Sequence, residues 1–184
     1  MGRFVRSLAD RADAAPLSEL QAQIVANAAT HGWHCSVGEA TDRRPAYACS
    51  VGFWEAFEDR EHPGLPAFPE FVVFGLPAEM AQLVLWQAFC QIRDLGAEPA
   101  EGARWPNLIQ SFDSISRPVN RSWLIAECFA DALWYRRHRA GAVGAPFSAM
   151  QLFWPSRLDG LYPWEEGCAD SARLAQPLLY LPPA

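Results

Sequence analysis

Leu17, Leu20, Ile24 and Ala28 recur three and four residues apart, so the first apolar pattern in the chain lines one face of a helix. Ser18 and Gln21 stand at capping-box spacing at its start, and Gly32 sits where a left-handed residue would end it. The spacing predicts a helix over 18–31. The period then drops to two. Trp33 to Ala40 and Ala46 to Phe53 flank the polar turn Thr41-Asp42-Arg43-Arg44-Pro45, which predicts a β-hairpin. Alternation places Tyr47, Cys49, Val51 and Phe53 on one face of the second strand and Ala48, Ser50 and Gly52 on the other. Cys49 would then lie across the hairpin from Cys35.

Residues 54–70 are rich in proline and charge and predict an excursion loop. Phe71-Val72-Val73-Phe74 is continuously apolar, as a strand buried on both faces must be. Gly75-Leu76-Pro77 turns the chain into a helix, with Pro77 suited to its first turn. Met80, Leu83, Val84, Ala88 and Leu95 form its expected apolar stripe, and Gly96 its end. After a loop over 97–107, Leu108 to Ile115 predicts a strand, and Ile125 to Arg139 a helix with Phe129 and Leu133 on one side. Phe147 to Trp154 alternates as a further strand. The remainder, broken by Pro155, Pro163, Pro177, Pro182 and Pro183, is expected to be mostly irregular. Strands mixed with helices, without a βαβ rhythm, predict an α+β domain with a mostly antiparallel sheet flanked by two or three helices.

Length and charge narrow this picture. A chain of 184 residues fits one domain and buries enough surface to need no staple. Residues 1–15, with Arg3, Arg6 and Arg11, are expected to be a flexible polar leader before a single domain over 16–184. All fifteen basic residues are arginine, which excludes a catalytic lysine, a Schiff base and a Walker phosphate loop. Absence of lysine also fits a GC-rich bacterial genome. The formal net charge of -6 argues against a nucleic-acid partner and suits a neutral or basic one. Five cysteines, none in a C-x-x-C pair, suit reduced thiols in the cytoplasm. No window approaches a membrane-spanning run of about 20 apolar residues.

Three groups of residues could carry chemistry. His34 opens the first strand, pointing away from Trp33 and Cys35, and could serve as a general base or hydrogen-bond a backbone carbonyl. Tyr47 and Gln151 are polar side chains in otherwise apolar strands, and a buried Gln151 would need partners. Trp154-Pro155 and Pro163-Trp164 flank a proline-bounded loop that ends at Glu165 and Glu166. Such a loop could form a ligand pocket or protein-binding hot spot, or simply be pinned by its own aromatics. The basic run Trp134 to Arg139 could stack on bases or bind phosphates, or simply suit a helix C-terminus. His31 and His34 are three apart, the spacing of a weak metal pair, but one ends a helix and the other begins a strand, and nothing in the spacing brings in His62 or His138, so no metal and no cofactor is expected.

The order of short motifs carries more than any one of them. Gly32-Trp33-His34, Tyr47 with Ser50-Val51-Gly52-Phe53, Pro69 to Leu76, Met150 to Pro155, Gly160 with Tyr162-Pro163-Trp164-Glu165, and Gln176 to Leu179 follow one another over about 30–180. This set resembles the bacterial family called domain of unknown function 4262. Two differences stand out: the segment from Trp54 to Phe68 is lengthened, with His62 before Pro63-Gly64, and Ser156 follows Trp154-Pro155 where the family usually has an acid. The resemblance implies a small stand-alone cytoplasmic α+β domain and brings no established reaction.

Two functions remain as expectations. One is a protein-binding module, an immunity-like or regulatory partner, using Trp154, Trp164 and Glu165. The other is a small-molecule hydrolase or transferase with His34 as base and Tyr47 and Gln151 orienting substrate. The second requires those side chains to share one concave site.

Overall fold

The computed structural model describes residues 16–58, 67–109, 112–125, 127–140 and 147–183. The expected leader over 1–15 and His62 lie outside the described residues. Helix α1 spans Glu19–His31 and begins as its sequence requires. Ser18 Oγ accepts from the Gln21 amide at 3.2 Å, and Gln21 Oε1 accepts from the Ser18 amide at 3.0 Å. Gly32, at φ +86°, ends it in the left-handed conformation. Strands β1 (His34–Gly38) and β2 (Tyr47–Val51) form the hairpin, with His34 opposite Val51 and Gly38 opposite Tyr47. In this register Cys35 faces Ser50 and Cys49 faces Ser36, so the two thiols project to opposite sides and not across from each other.

The short helix α2 (Phe53–Ala56) follows at once, after Gly52 at φ +103°. That turn moves Phe53 off the Tyr47 face and into the cluster on the other side of the sheet. Strand β3 (Glu70–Phe74) is wholly buried and starts one residue earlier than its apolar run. Pro77 immediately precedes α3 (Ala78–Leu95). The buried residues of this helix are Ala81, Val84, Leu85, Ala88, Phe89 and Ile92, whereas Met80, Leu83 and Leu95 are exposed. The apolar stripe is therefore rotated from the expected one, because two of its positions are alanines and large side chains lie outside it.

The chain expected as one strand, Leu108 to Ile115, folds back on itself. Strands β4 (Arg104–Ile109) and β5 (Phe112–Pro118) pair antiparallel, and the register shifts between Trp105 and Ile109. Asn107, at φ +55°, sits in that irregularity. Four steps along β4 match two along β5 there, and the two extra residues let both Trp105 and Leu108 enter the core, which simple alternation forbids. Two short 3₁₀ turns, Arg121–Trp123 and Glu127–Phe129, precede α4 (Ala130–Ala140), which starts later than expected. Strand β6 (Ala149–Phe153) is fully buried, and α5 (Asp170–Ala175) forms in the tail expected to be irregular.

The six strands lie in the order β1-β2-β3-β6-β5-β4. Four pairings are antiparallel, and β3 with β6 is parallel. The domain is thus α+β with a mixed, mostly antiparallel sheet. Helix α3 covers one face through Ala48, Phe71, Val73, Met150 and Leu152. On the other face α1 and α4 cover Val51, while Phe129 and Leu179 pack on Cys49, Val72, Phe74 and Ala149.

Candidate functional site

His34, Tyr47 and Gln151 share a sheet face but no site. His34 lies opposite Val51 and Tyr47 opposite Gly38, four residues or about 13 Å along the strands. His34 is 9% exposed, and its Nδ1 lies 2.9 Å from Asn27 Nδ2. Burial lowers its pKa, with the Asp131 charge pulling the other way, so the imidazole is neutral near pH 7. Beside it Ser36 donates its hydroxyl hydrogen to Asp131 Oδ2 at 2.6 Å, and no bond joins that hydroxyl to the imidazole. A nucleophile and its base would need that bond. Tyr47 packs on Phe74, carries the Arg44 guanidinium 4.4 Å above its ring, and lies across Gly38.

Gln151 is fully buried and holds the tail. Its Nε2 donates to the Pro177 carbonyl at 2.7 Å, and its Oε1 accepts from the Leu179 amide at 3.1 Å. Gln176 repeats the device: Oε1 accepts from the Trp154 amide and Nε2 donates to the Trp154 carbonyl, both at 2.9 Å. The sequence pointed to Gln151 as a buried polar group in need of partners, and these are the partners. Both ends of its amide thus bond the tail, and the side chain is fully buried.

The Trp154 to Trp164 loop is anchored. Trp154 donates its indole N–H to the Phe74 carbonyl at 2.9 Å. Trp164 stacks on Tyr162 at 5.1 Å, meets Phe153 edge-on, and carries the Arg117 guanidinium 4.0 Å above its ring. Glu165 Oε2 accepts from the Tyr162 amide at 2.6 Å, closing its own turn. Trp154 also lines a cavity of about 230 Å³ with Gly75, Arg157, Leu158, Ser171 and Ala175. Trp164 and Glu165 do not line that cavity, so the structure divides the three residues between two places.

One group escaped the sequence reading except as part of a motif. Glu70, fully buried at the start of β3, accepts from the Ser50 hydroxyl, from the Gly52 amide at 2.8 Å and from the Phe53 amide at 3.3 Å. Desolvation pushes its pKa up to about 7 against those hydrogen bonds. It ties the β2–α2 turn to β3. The signal was a glutamate adjoining a doubly buried strand. Near it Arg136 is buried over the Trp54 ring at 4.4 Å. In the same basic run Arg139 pairs with Glu55 and His138 stacks on Trp134.

Cys35, Cys49 and Cys128 offer no reactive thiolate. Burial pushes Cys35 and Cys128 up to about 11 and Cys49 higher than its ordinary value. Among the described residues no three of His, Cys, Asp and Glu converge as a metal site, and no helix is long and apolar enough to cross a membrane.

What remains distinctive is the sheet's two edges. Edge strand β4 carries Arg104 and Pro106, and its register is broken around Asn107. Each feature obstructs pairing with a further strand. Edge strand β1, His34-Cys35-Ser36-Val37-Gly38, has no charge, no proline and an unbroken five-residue register. Among the described residues no other strand pairs with it, and Val37 is 50% exposed.

A sequence model of a family described as a domain of unknown function (DUF4262) matches residues 27–169. No curated protein and no solved structure matches the chain.

Proposed function

The chain belongs to the domain of unknown function family DUF4262, and we propose from its surface that it is a protein-binding module. Its partner adds an extended segment to the outer edge of β1. The observation that carries this reading is the unobstructed β1 edge beside an obstructed β4 edge. An added strand is held by main-chain hydrogen bonds, and Val37 supplies an apolar contact for alternate side chains of the guest. The net charge of -6 favours a neutral or basic segment and gives attraction that weakens with salt.

The reading places the module in the cytoplasm, where five unpaired thiols stay reduced. The catalytic alternative with His34 as base gains no support from the geometry, since His34, Tyr47 and Gln151 are engaged separately.

Selection of ten-residue peptides from a display library on the full chain tests it. The expected winners are β-branched, neutral or basic peptides whose binding falls at least tenfold in Val37→Lys. A failure to select any peptide, or equal binding by Val37→Lys, contradicts the reading.

A further inference from the structure

Strands β3 and β6 are the parallel pair, so their carboxyl ends lie side by side. After β3 the chain enters α3, which packs with Val73 and Leu152 on one face. After β6 it runs through the Trp154 loop and α5 into a tail whose Leu179 packs with Val72 and Phe74 on the other. Beyond the carboxyl ends of neighbouring parallel strands is where open sheets accept ligands. The 230 Å³ cavity lies there, lined by Gly75 after β3 and by Trp154 after β6.

Its lining has a definite chemistry. Trp154 and Leu158 supply apolar surface, Ser171 a hydroxyl and Arg157 a guanidinium. No carboxylate lines the cavity. Asp159, next in sequence to Leu158, spends its oxygens on the Leu161 and Ala169 amides, each at 2.9 Å. Among the described residues Arg157 makes no ion pair, in contrast to Arg44, Arg93, Arg104 and Arg139. Leu158 at the cavity is 84% exposed, so an occupant would cover apolar surface that water now meets. Gly75 packs against Ala175 so closely that a Cβ would collide with it at 2.6 Å, which keeps one wall flat.

We propose that this cavity binds a small planar organic carboxylate, its ring against Trp154 and Leu158 and its charge on Arg157. A cavity of about 150 Å³ accepts benzene, so the larger volume here leaves room for a ring and one charged substituent. The proposal is independent of the β1 edge.

Titration of the labelled full chain with benzoate, benzamide and benzylamine, followed by amide chemical shifts, tests it. Benzoate is expected to saturate shifts at Gly75, Trp154 and Ser171 with a Kd on the order of 1 mM, the scale for a fragment of this size. Benzamide and benzylamine should bind at least tenfold more weakly. Arg157→Gln should weaken benzoate about tenfold with an unchanged Tm, and Ser171→Tyr, which fills the cavity, should abolish the shifts. No saturable shift by 20 mM, shifts elsewhere, equal binding of benzamide, or benzoate affinity untouched by Arg157→Gln would each overturn the proposal.

Discussion

The two ends of the same sheet solve one problem differently. An edge strand exposes unpaired amides and carbonyls, and a soluble chain must keep neighbours from pairing there. Strand β4 does so three times over, with Arg104, Pro106 and the irregularity around Asn107. Strand β1 does so nowhere in its five residues. The irregularity in β4 has a packing role as well, since it brings Trp105 and Leu108 to the core together. The β1 edge has no such conflict: its alternation is regular, His34 and Ser36 are bonded on one side, and Val37 is left open. Obstruction was available to this fold and is absent at one edge, where pairing is then the expected use.

Breaking the hairpin that presents β1 should have the largest effect. The Tyr47 ring crosses Gly38 so closely that a Cβ there would overlap it. Gly38→Ala should cost about 3 kcal/mol in urea unfolding, in the range of overpacked sites, and should remove peptide binding with it. Glu70 anchors the far end of the same hairpin and gives a comparable, pH-dependent effect. Between the ordinary carboxylate range and about pH 7, folded Glu70 holds a proton that the unfolded chain has released. This group therefore lowers stability as pH rises through that window. The stability difference between Glu70→Gln and the wild type should shift toward the variant by roughly 3 kcal/mol from pH 5 to pH 8, measured by denaturant unfolding. A constant difference would show that the carboxylate does not titrate there.

Smaller changes sharpen the contrast between edges. Removing the obstruction from β4 with Arg104→Thr and Pro106→Val should alter stability by less than about 1 kcal/mol, because both side chains are exposed. It should nevertheless produce concentration-dependent self-association in sedimentation, as a second open edge would. Val37→Lys, which installs an edge charge on β1, should change stability least, within about 0.5 kcal/mol. Equal solubility of the β4 variant and the wild type would mean that its charge and proline are not what guards that edge.

Much of this was legible in the chain itself, for local reasons. The capping box of α1, its terminal Gly32 and the period-two hairpin are written in neighbouring residues, and the structure follows them. Helix α3 was legible as a helix but not in phase. Val84 and Ala88 are buried as their spacing requires, but Ala81 is buried without announcing it, while Leu83 and Leu95 are apolar and exposed. The β4–β5 hairpin was not legible, because the shifted register places Trp105 and Leu108 three residues apart on the core side. Gln151 could be marked as a buried amide, yet its partners at Pro177 and Leu179 come from a tail 26 and 28 residues downstream. The ordered motifs around His34, Tyr47 and Gln151 suggested one site. The sheet spreads them, since motifs that recur along a chain can mark hinges of the fold as readily as a reaction centre. Edge character depends on strand order, which no local pattern states.

Amide-resolved hydrogen exchange of the full chain with and without a selected peptide separates the two edges. With peptide bound, outward amides of His34–Gly38 should gain at least tenfold protection while those of Arg104–Ile109 exchange unchanged. Protection confined to β4 or to the Trp154–Trp164 loop, with β1 unaffected, would contradict pairing at the β1 edge.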